Sequence, residues 1–310
     1  MSRGPKRQTV LVSGASSQIG VFLLPLLDAG SFRVRALSRS APSVPRAVTD
    51  SISWIHPKAE LAAEERGDSP APELLVSAGP QSLARRLLAR HPGIRTAVVF
   101  SSSSVISKAD SPHRGERERI ANILADEQSL KQACGERGVT LVLIRPTLVY
   151  GCGMDHNISL LYRLAQGQGL GPVSTRAGGQ RQPVHAADLA DLALAALSYR
   201  ETALLEGQAC GGSTLSYHDM AAAIAQCGPR RARLMELPPA LFSTLVSLWS
   251  LTRRGEGVNR EMVRRQARDL VFDDSGFRRM LNYRPRAFRP QPVDFELPPG
   301  AGVFRPGAGT

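Results

Sequence analysis

Residues 9–13 read TVLVS, a short apolar, β-branched run, and a Gly/Ser turn leads from it into an apolar segment at 18–29. Gly30 ends that segment, and 32–37 alternates apolar with polar side chains. Strand, helix and strand within about 30 residues make a βαβ unit. Its two strands must run parallel, because the helix carries the chain back to the same end of the sheet. A parallel sheet needs helices on both faces, so the opening residues already constrain what the rest must supply.

The pattern continues. Residues 51–55 read as a third strand, 60–72 as a polar loop or short helix, and 74–77 as a brief strand. Residues 81–90 form a helix, 96–100 a strand ending in four serines, 116–138 a helix, and 140–144 a strand ending at Arg145-Pro146. Alternating strands and helices predict an α/β fold, a Rossmann doubly wound parallel sheet with a smaller C-terminal substrate-binding part. The expected division is a flexible basic tail at 1–7, a dinucleotide-binding part at 8–150 to which 184–212 returns, a substrate-binding part at 151–183 and 213–291, and a disordered Pro/Gly-rich tail at 292–310. Ser216 caps a helix at 217–226, and 237–251 reads as a loop and a buried helix rather than a membrane contact.

The run Ser13-Gly14-Ala15-Ser16-Ser17-Gln18-Ile19-Gly20 sits between the first strand and its helix. Gly14 lets the backbone turn sharply, the head of the helix offers free N–H groups to phosphate, and Gly20 lets the helix approach the sheet. We therefore expect Gly14, Ser16, Ser17, Gln18, Ile19 and Gly20 to hold a dinucleotide, with Ser17 standing where a middle glycine is usual. The second strand ends Ser38-Arg39 rather than in an acidic residue. That pair suits the extra phosphate of NADP, which is favoured over NAD.

Charge and cysteine content bound the remaining options. The formal net charge is +12, and of 39 basic side chains only four are lysine. Such a field favours anionic partners: a phosphorylated cofactor and substrate, nucleic acid, or an acidic lipid surface. A general preference for Arg over Lys explains the shortage of lysine but not the net charge. No zinc-finger spacing or aromatic RNA-binding signature points to nucleic acid, which is not expected as a partner. Cys134, Cys152, Cys210 and Cys227 form no C-x-x-C pair, so no metal site is expected. A reduced, cytoplasmic compartment fits, and no stretch has the length of a membrane span.

Several runs, in this order and spacing, resemble the extended short-chain dehydrogenase/reductase family over about residues 8–290, in particular its NAD-dependent epimerase/dehydratases, including the nucleotide-sugar epimerases. They are SGASSQIG at 13–20, VVFSSSSV at 98–105, LIRPTLVYG at 143–151 and RQPVHAADLA at 181–190, with a weaker echo at 268–285. The resemblance implies Ser103 as the catalytic hydroxyl with Ser102 as its rival and substrate contact, Ser101 at the cofactor, and Pro146 and Thr147 against the nicotinamide. It implies Arg181 and Arg268, with Asn157, at a substrate diphosphate, and a homodimer built on a helix such as 116–138. The family's Tyr and the Lys four residues later are missing. Anchoring the helix on Glu127 puts Arg119 and Ile123 at those positions, and none of the five tyrosines has Lys at that spacing. Lys108 and His113 are candidate substitutes, whereas Arg119 could hold a substrate oxyanion or a phosphate but stays protonated and so cannot take up a proton. His185 and Asp188 read as structural residues of a strand–helix junction. Two functions stay open: an epimerase or oxidoreductase acting on a nucleotide sugar or related carbonyl compound, or a dinucleotide-binding sensor, regulator or assembly factor without turnover. A basic nucleic-acid binder that keeps the fold is a third.

Overall fold

The computed structural model describes residues 7–30, 32–39, 51–62, 70–250 and 265–298. The opening unit forms as expected, with β1 (Thr9–Ser13), α1 (Gln18–Ala29) and β2 (Arg33–Leu37). Next come β3 (Ile52–Ile55), α2 (Pro57–Ala62), β4 (Leu74–Ser77), α3 (Gln81–Arg90), β5 (Thr96–Phe100), α4 (Ser104–Ser107), α5 (Arg114–Glu136) and β6 (Thr140–Pro146). The chain then leaves through β7 (Val149–Tyr150), α6 (Ile158–Gln168), β8 (Leu170–Ser174), β9 (Gln180–Arg181) and β10 (Val184–His185). It returns with α7 (Ala186–Ala196) and β11 (Leu204–Ala209). It closes with β12 (Leu215–Ser216), α8 (Tyr217–Cys227), β13 (Arg233–Leu237), α9 (Pro239–Ser250), α10 (Ser275–Leu281) and a 3-10 turn at Pro292–Phe295.

Seven strands form one sheet in the order β11-β6-β5-β4-β1-β2-β3, every neighbouring pair parallel. The strand order reverses between β1 and β4. A crevice at the carboxyl ends of strands on either side of such a reversal is where open α/β sheets bind ligands.

The central strands β1, β4 and β5 are buried on both faces, which is why they read as continuous apolar runs, whereas β2, β3 and β11 toward the edges are partly exposed. Val10 and Val12 of β1 enter one apolar cluster and Leu11 the other, as a period of two requires. Leu23 and Leu27 of α1 and Leu189, Ala190, Ala193 and Ala196 of α7 complete the first cluster. The small alanines of α7 let α1 lie close against it. On the other face Ala84, Leu87 and Leu88 of α3 meet Leu130 and Cys134 of α5. A polar tie fixes the edge: Arg145 in β6 donates to Glu127 of α5 at 3.1 and 2.6 Å and to Glu206 of β11 at 2.8 Å. Glu127 is buried, so losing its partner would leave an uncompensated charge.

The smaller part has its own core of Tyr150, Ile158, Met220, Ile224 and Phe288. Residues 292–295, expected to belong to a disordered tail, form a 3-10 turn. Asp294 accepts from Gln291 N at 2.8 Å and pairs with His185 Nε2 at 3.3 Å, which holds Pro292–Phe295 against the body. Residues 1–6 and 299–310 lie outside the described residues. Among the described residues no helix is long and apolar enough to cross a membrane.

Candidate functional site

A cleft of about 350 Å³ opens at the carboxyl ends of β1, β4, β5 and β6. Its lining starts at the head of α1 with Ser17, Gln18 and Ile19 and passes Ala78, Gly79 and Gln81 after β4. It continues through Phe100, Ser101 and Ser102 at the end of β5 and closes with Ile123 of α5, Pro146 and Val149.

Local chemistry explains the head of α1. Gly14 has φ of 70°, and a Cβ there would stand 2.7 Å from the Ala78 carbonyl carbon. A Cβ on Gly20 would run into Ala15 O, so the helix can start this tightly only with glycine. Ser17 caps the helix by accepting from Gly20 N at 3.1 Å. A serine at the middle-glycine position thus serves the turn itself. Ser38 Oγ donates to Ser16 Oγ at 3.3 Å, joining the end of β2 to the same loop, and Arg39 next to it is exposed.

Two polar atoms in the cleft lack partners among the described residues: Gln18 Nε2 and Ser101 Oγ, both shielded from solvent. Buried polar groups are almost always hydrogen-bonded, so these two atoms on cleft-lining residues are exceptions that a small side-chain movement could offer to a ligand. Gln81 supports the wall between them, donating through Nε2 to Phe100 O at 3.3 Å. Free N–H groups at a helix head, a glycine-cleared approach and two orphaned polar atoms along a crevice fit an elongated phosphate-bearing ligand such as a dinucleotide.

The serines after β5 divide. Ser101 and Ser102 line the cleft, while Ser103 stands one residue beyond and opens α4, its N–H bonded to Pro146 O at 3.1 Å. Pro146 lines the cleft; Thr147 does not, and its Oγ1 donates to Gln182 O and, at 3.4 Å, to Ala209 O. Asn157 is exposed at the head of α6.

Arg181 requires a correction. It is 4% exposed, and its guanidinium donates to the carbonyls of Gln180 and Arg268, each at 2.7 Å, and to that of Arg265. It also lies 5.5 Å over the Tyr217 ring. It is therefore turned into its own chain and not toward a diphosphate. Arg268 is exposed and reaches Asp110 at 3.3 Å. Arg265 reaches Glu116 at 3.4 Å, where Lys108 also pairs at 3.2 Å. Burial would raise the Glu116 carboxyl, but the Ser111 hydroxyl, Lys108 and Arg265 hold it down at about 2. Lys108 is thus engaged outside the cleft.

None of the described side chains lining the cleft is titratable. Arg119 and His113 are exposed and do not line it; Ile123 does. The tyrosines sit elsewhere. Tyr150 packs edge-on to His185 and Phe288, Tyr162 stacks on Phe295, Tyr199 bonds Thr202, Tyr217 lies under Arg181, and Tyr283 donates to Cys210 O. Burial pushes the phenols of Tyr150, Tyr217 and Tyr283 up, away from phenolate. His185 caps α7 by accepting from Ala187 N, and Asp188 receives Arg286 at 2.7 Å, as structural residues do. Sequence reasoning missed Gln81 and the 265–268 carbonyls. Gln81 opens a helix after a strand of the sheet, a position that could have drawn attention to it.

No family model matches the sequence, and no curated protein matches it either. Solved structures do. A UDP-glucuronic acid 4-epimerase from Bacillus cereus in complex with NAD superposes with a TM-score of 0.67 at 13% identity, covering 94% of this chain and 97% of that one. This is the fold of NAD-dependent nucleotide-sugar epimerases and dehydratases. MoeE5 in complex with UDP-glucuronic acid and NAD gives 0.66 at 19% identity over 93% and 97% of the two chains. The NDP-hexosamine 5,6-dehydratase TunA, of tunicamycin biosynthesis, gives 0.56 at 18% identity over 89% and 97%. At these identities the chains share a fold across both the sheet and the smaller part.

Proposed function

We propose that this chain binds a nicotinamide dinucleotide in the cleft at the head of α1 and acts through that binding, as a sensor or regulator, without sugar-proton chemistry. The observation that carries the reading is the pair of orphaned groups, Gln18 Nε2 and Ser101 Oγ, in a cleft that otherwise has no titratable side chain among its described lining. The residues that would hold the cofactor are Gly14, Ser16, Ser17, Gln18, Ile19 and Gly20 at the phosphates, Ser38 and Arg39 at the adenosine end, and Ser101 and Pro146 at the nicotinamide end. Arg39 favours NADP over NAD, because a guanidinium pairs well with the ribose phosphate. A bound nicotinamide supplies hydride chemistry. Moving a hydride to or from a carbinol carbon also needs a group to move the hydroxyl proton, and the cleft lining offers only serine hydroxyls and amides.

A second reading is supported by the similarity reaching across the smaller part: an oxidoreductase or epimerase working on a nucleotide sugar, with Ser102 or Ser103 at the substrate and Arg268 and Asn157 at its diphosphate. Titrating the protein with NADPH and NADH, followed by a turnover screen on UDP- and dTDP-sugars, separates the two. Binding that is tighter for NADPH, with no epimerisation and no cofactor oxidation, is expected. Turnover would establish the enzyme, and no binding of either cofactor at millimolar concentration would remove both readings.

A further inference from the structure

The cleft changes character along its length. At the head of α1 it offers N–H groups, Ser17 and Gln18; toward the ends of β5 and β6 its walls are mostly apolar, with Phe100, Ile123, Pro146 and Val149 around Ser101 and Ser102, and the Ser102 hydroxyl already accepts from Ser104 N at 3.1 Å. Resting on the dinucleotide reading above, we infer that this apolar end selects the redox state of the cofactor, holding the reduced nicotinamide in preference to the oxidised one, with Ile123 as the specificity-determining side chain.

The two forms of the cofactor carry the same phosphates and riboses and differ at the ring. The oxidised ring bears a positive charge, and the dihydro ring is neutral. Contacts at the head of α1 therefore cannot tell them apart, and discrimination falls to whatever surrounds the ring. A cation moved from water into apolar surroundings is strongly disfavoured unless an anion or several hydrogen-bond acceptors meet it. No carboxylate is among the described lining. The neighbouring carboxylates of α5 are committed elsewhere: Glu127 to Arg145 at 2.6 Å, and Glu116 to Lys108 and Arg265. Asp126, three residues beyond Ile123, does not line the cleft, and Arg119, four residues before it, has the same sign as the oxidised ring. The net charge of +12 supplies no general compensation. A neutral ring meets none of these costs and gains contact with four apolar side chains.

The selection yields a readout that needs no catalysis. The fraction of protein carrying a cofactor would follow the ratio of reduced to oxidised dinucleotide rather than the total pool.

Equilibrium titration of the full chain with NADPH and, separately, with NADP+, followed by protein fluorescence and by calorimetry, tests the inference. NADPH is expected to bind about tenfold or more tightly than NADP+. Ile123→Glu should bring the two affinities close together by tightening NADP+ and weakening NADPH, while Ile123→Gln, similar in size but uncharged, should largely keep the preference. Equal affinities in the unmodified protein, or a preference for NADP+, would overturn the inference while leaving the dinucleotide reading intact, and this comparison needs no variant to fold. A preference that Ile123→Glu leaves untouched in a folded protein would remove Ile123 from the role. Failure of both cofactors to bind would instead remove the dinucleotide reading on which the inference stands.

Discussion

Around the head of α1, Gln18 Nε2 and Ser101 Oγ are buried without partners, whereas in the smaller part Arg181, Arg265 and Arg268 are each bonded to groups of their own chain. One region keeps polar groups in reserve and the other has already satisfied its own. Unsatisfied buried groups are costly in an isolated protein and useful in one that meets a ligand. The difference separates a region with unpartnered buried groups from one whose arginines are engaged by their own chain, although residue types alone would rank the arginines as the better ligand contacts.

The largest effect should come from closing the first of these regions. Gly20→Ala sets a Cβ against Ala15 O, and we expect loss of NADPH binding with destabilisation of about 3 kcal/mol, read by thermal unfolding and titration. A variant that still binds NADPH would show that the tight start of α1 is unnecessary. On the other side, Arg181→Ala should cost about 2 kcal/mol by leaving the carbonyls of Gln180, Arg265 and Arg268 without their donor, with NADPH affinity unchanged. Unchanged stability combined with lost affinity for a nucleotide sugar would reverse the comparison.

Smaller effects sharpen it. Ser101→Ala removes an unpartnered hydroxyl, so the free protein should be as stable as before or slightly more so, while NADPH binds about tenfold more weakly. Equal affinity would mean that the hydroxyl faces nothing in the complex. Glu116→Gln should have the smallest effect of the four, and that effect is greatest at neutral pH. The carboxyl is held at about 2 in the folded chain against an ordinary 4.5, so the stability it adds is present above the ordinary value and lost as the pH falls toward about 2. The variant should therefore show a flatter loss of stability in acid, measured by denaturant unfolding across that range.

Much of the sheet is legible in the sequence because its signals are local. Thr9–Ser13, Leu74–Ser77 and Thr96–Phe100 are short apolar runs bounded by turn residues, and the run from Gly14 to Gly20 lies at a single strand–helix junction. Ile123 in the cleft is also within reach of the sequence, since counting from Glu127 places it where the family resemblance implies a lysine. The fate of Arg181 is not: its acceptors at Arg265 and Arg268 lie 84 and 87 residues away, and a guanidinium looks the same in a sequence whether it will meet a phosphate or a carbonyl. The turn at Pro292–Phe295 is hidden for a related reason. Its Pro/Gly-rich surroundings suggest disorder, and the group that holds it, His185, is 109 residues earlier.

The return of the chain to the sheet has a consequence for how such proteins can be recombined. β11 completes the sheet from residues 204–209, and α7 covers α1, so the sheet part is not a contiguous stretch. A cut at residue 150 would leave β6 as a raw edge and α1 bare on its outer side. Grafting this cleft onto another protein, or exchanging its smaller part for that of a relative, would require carrying at least two separate segments together. Crossovers placed between residues 150 and 184 on one side, and after 209 on the other, are the ones that keep the sheet and its cover in the same parental sequence.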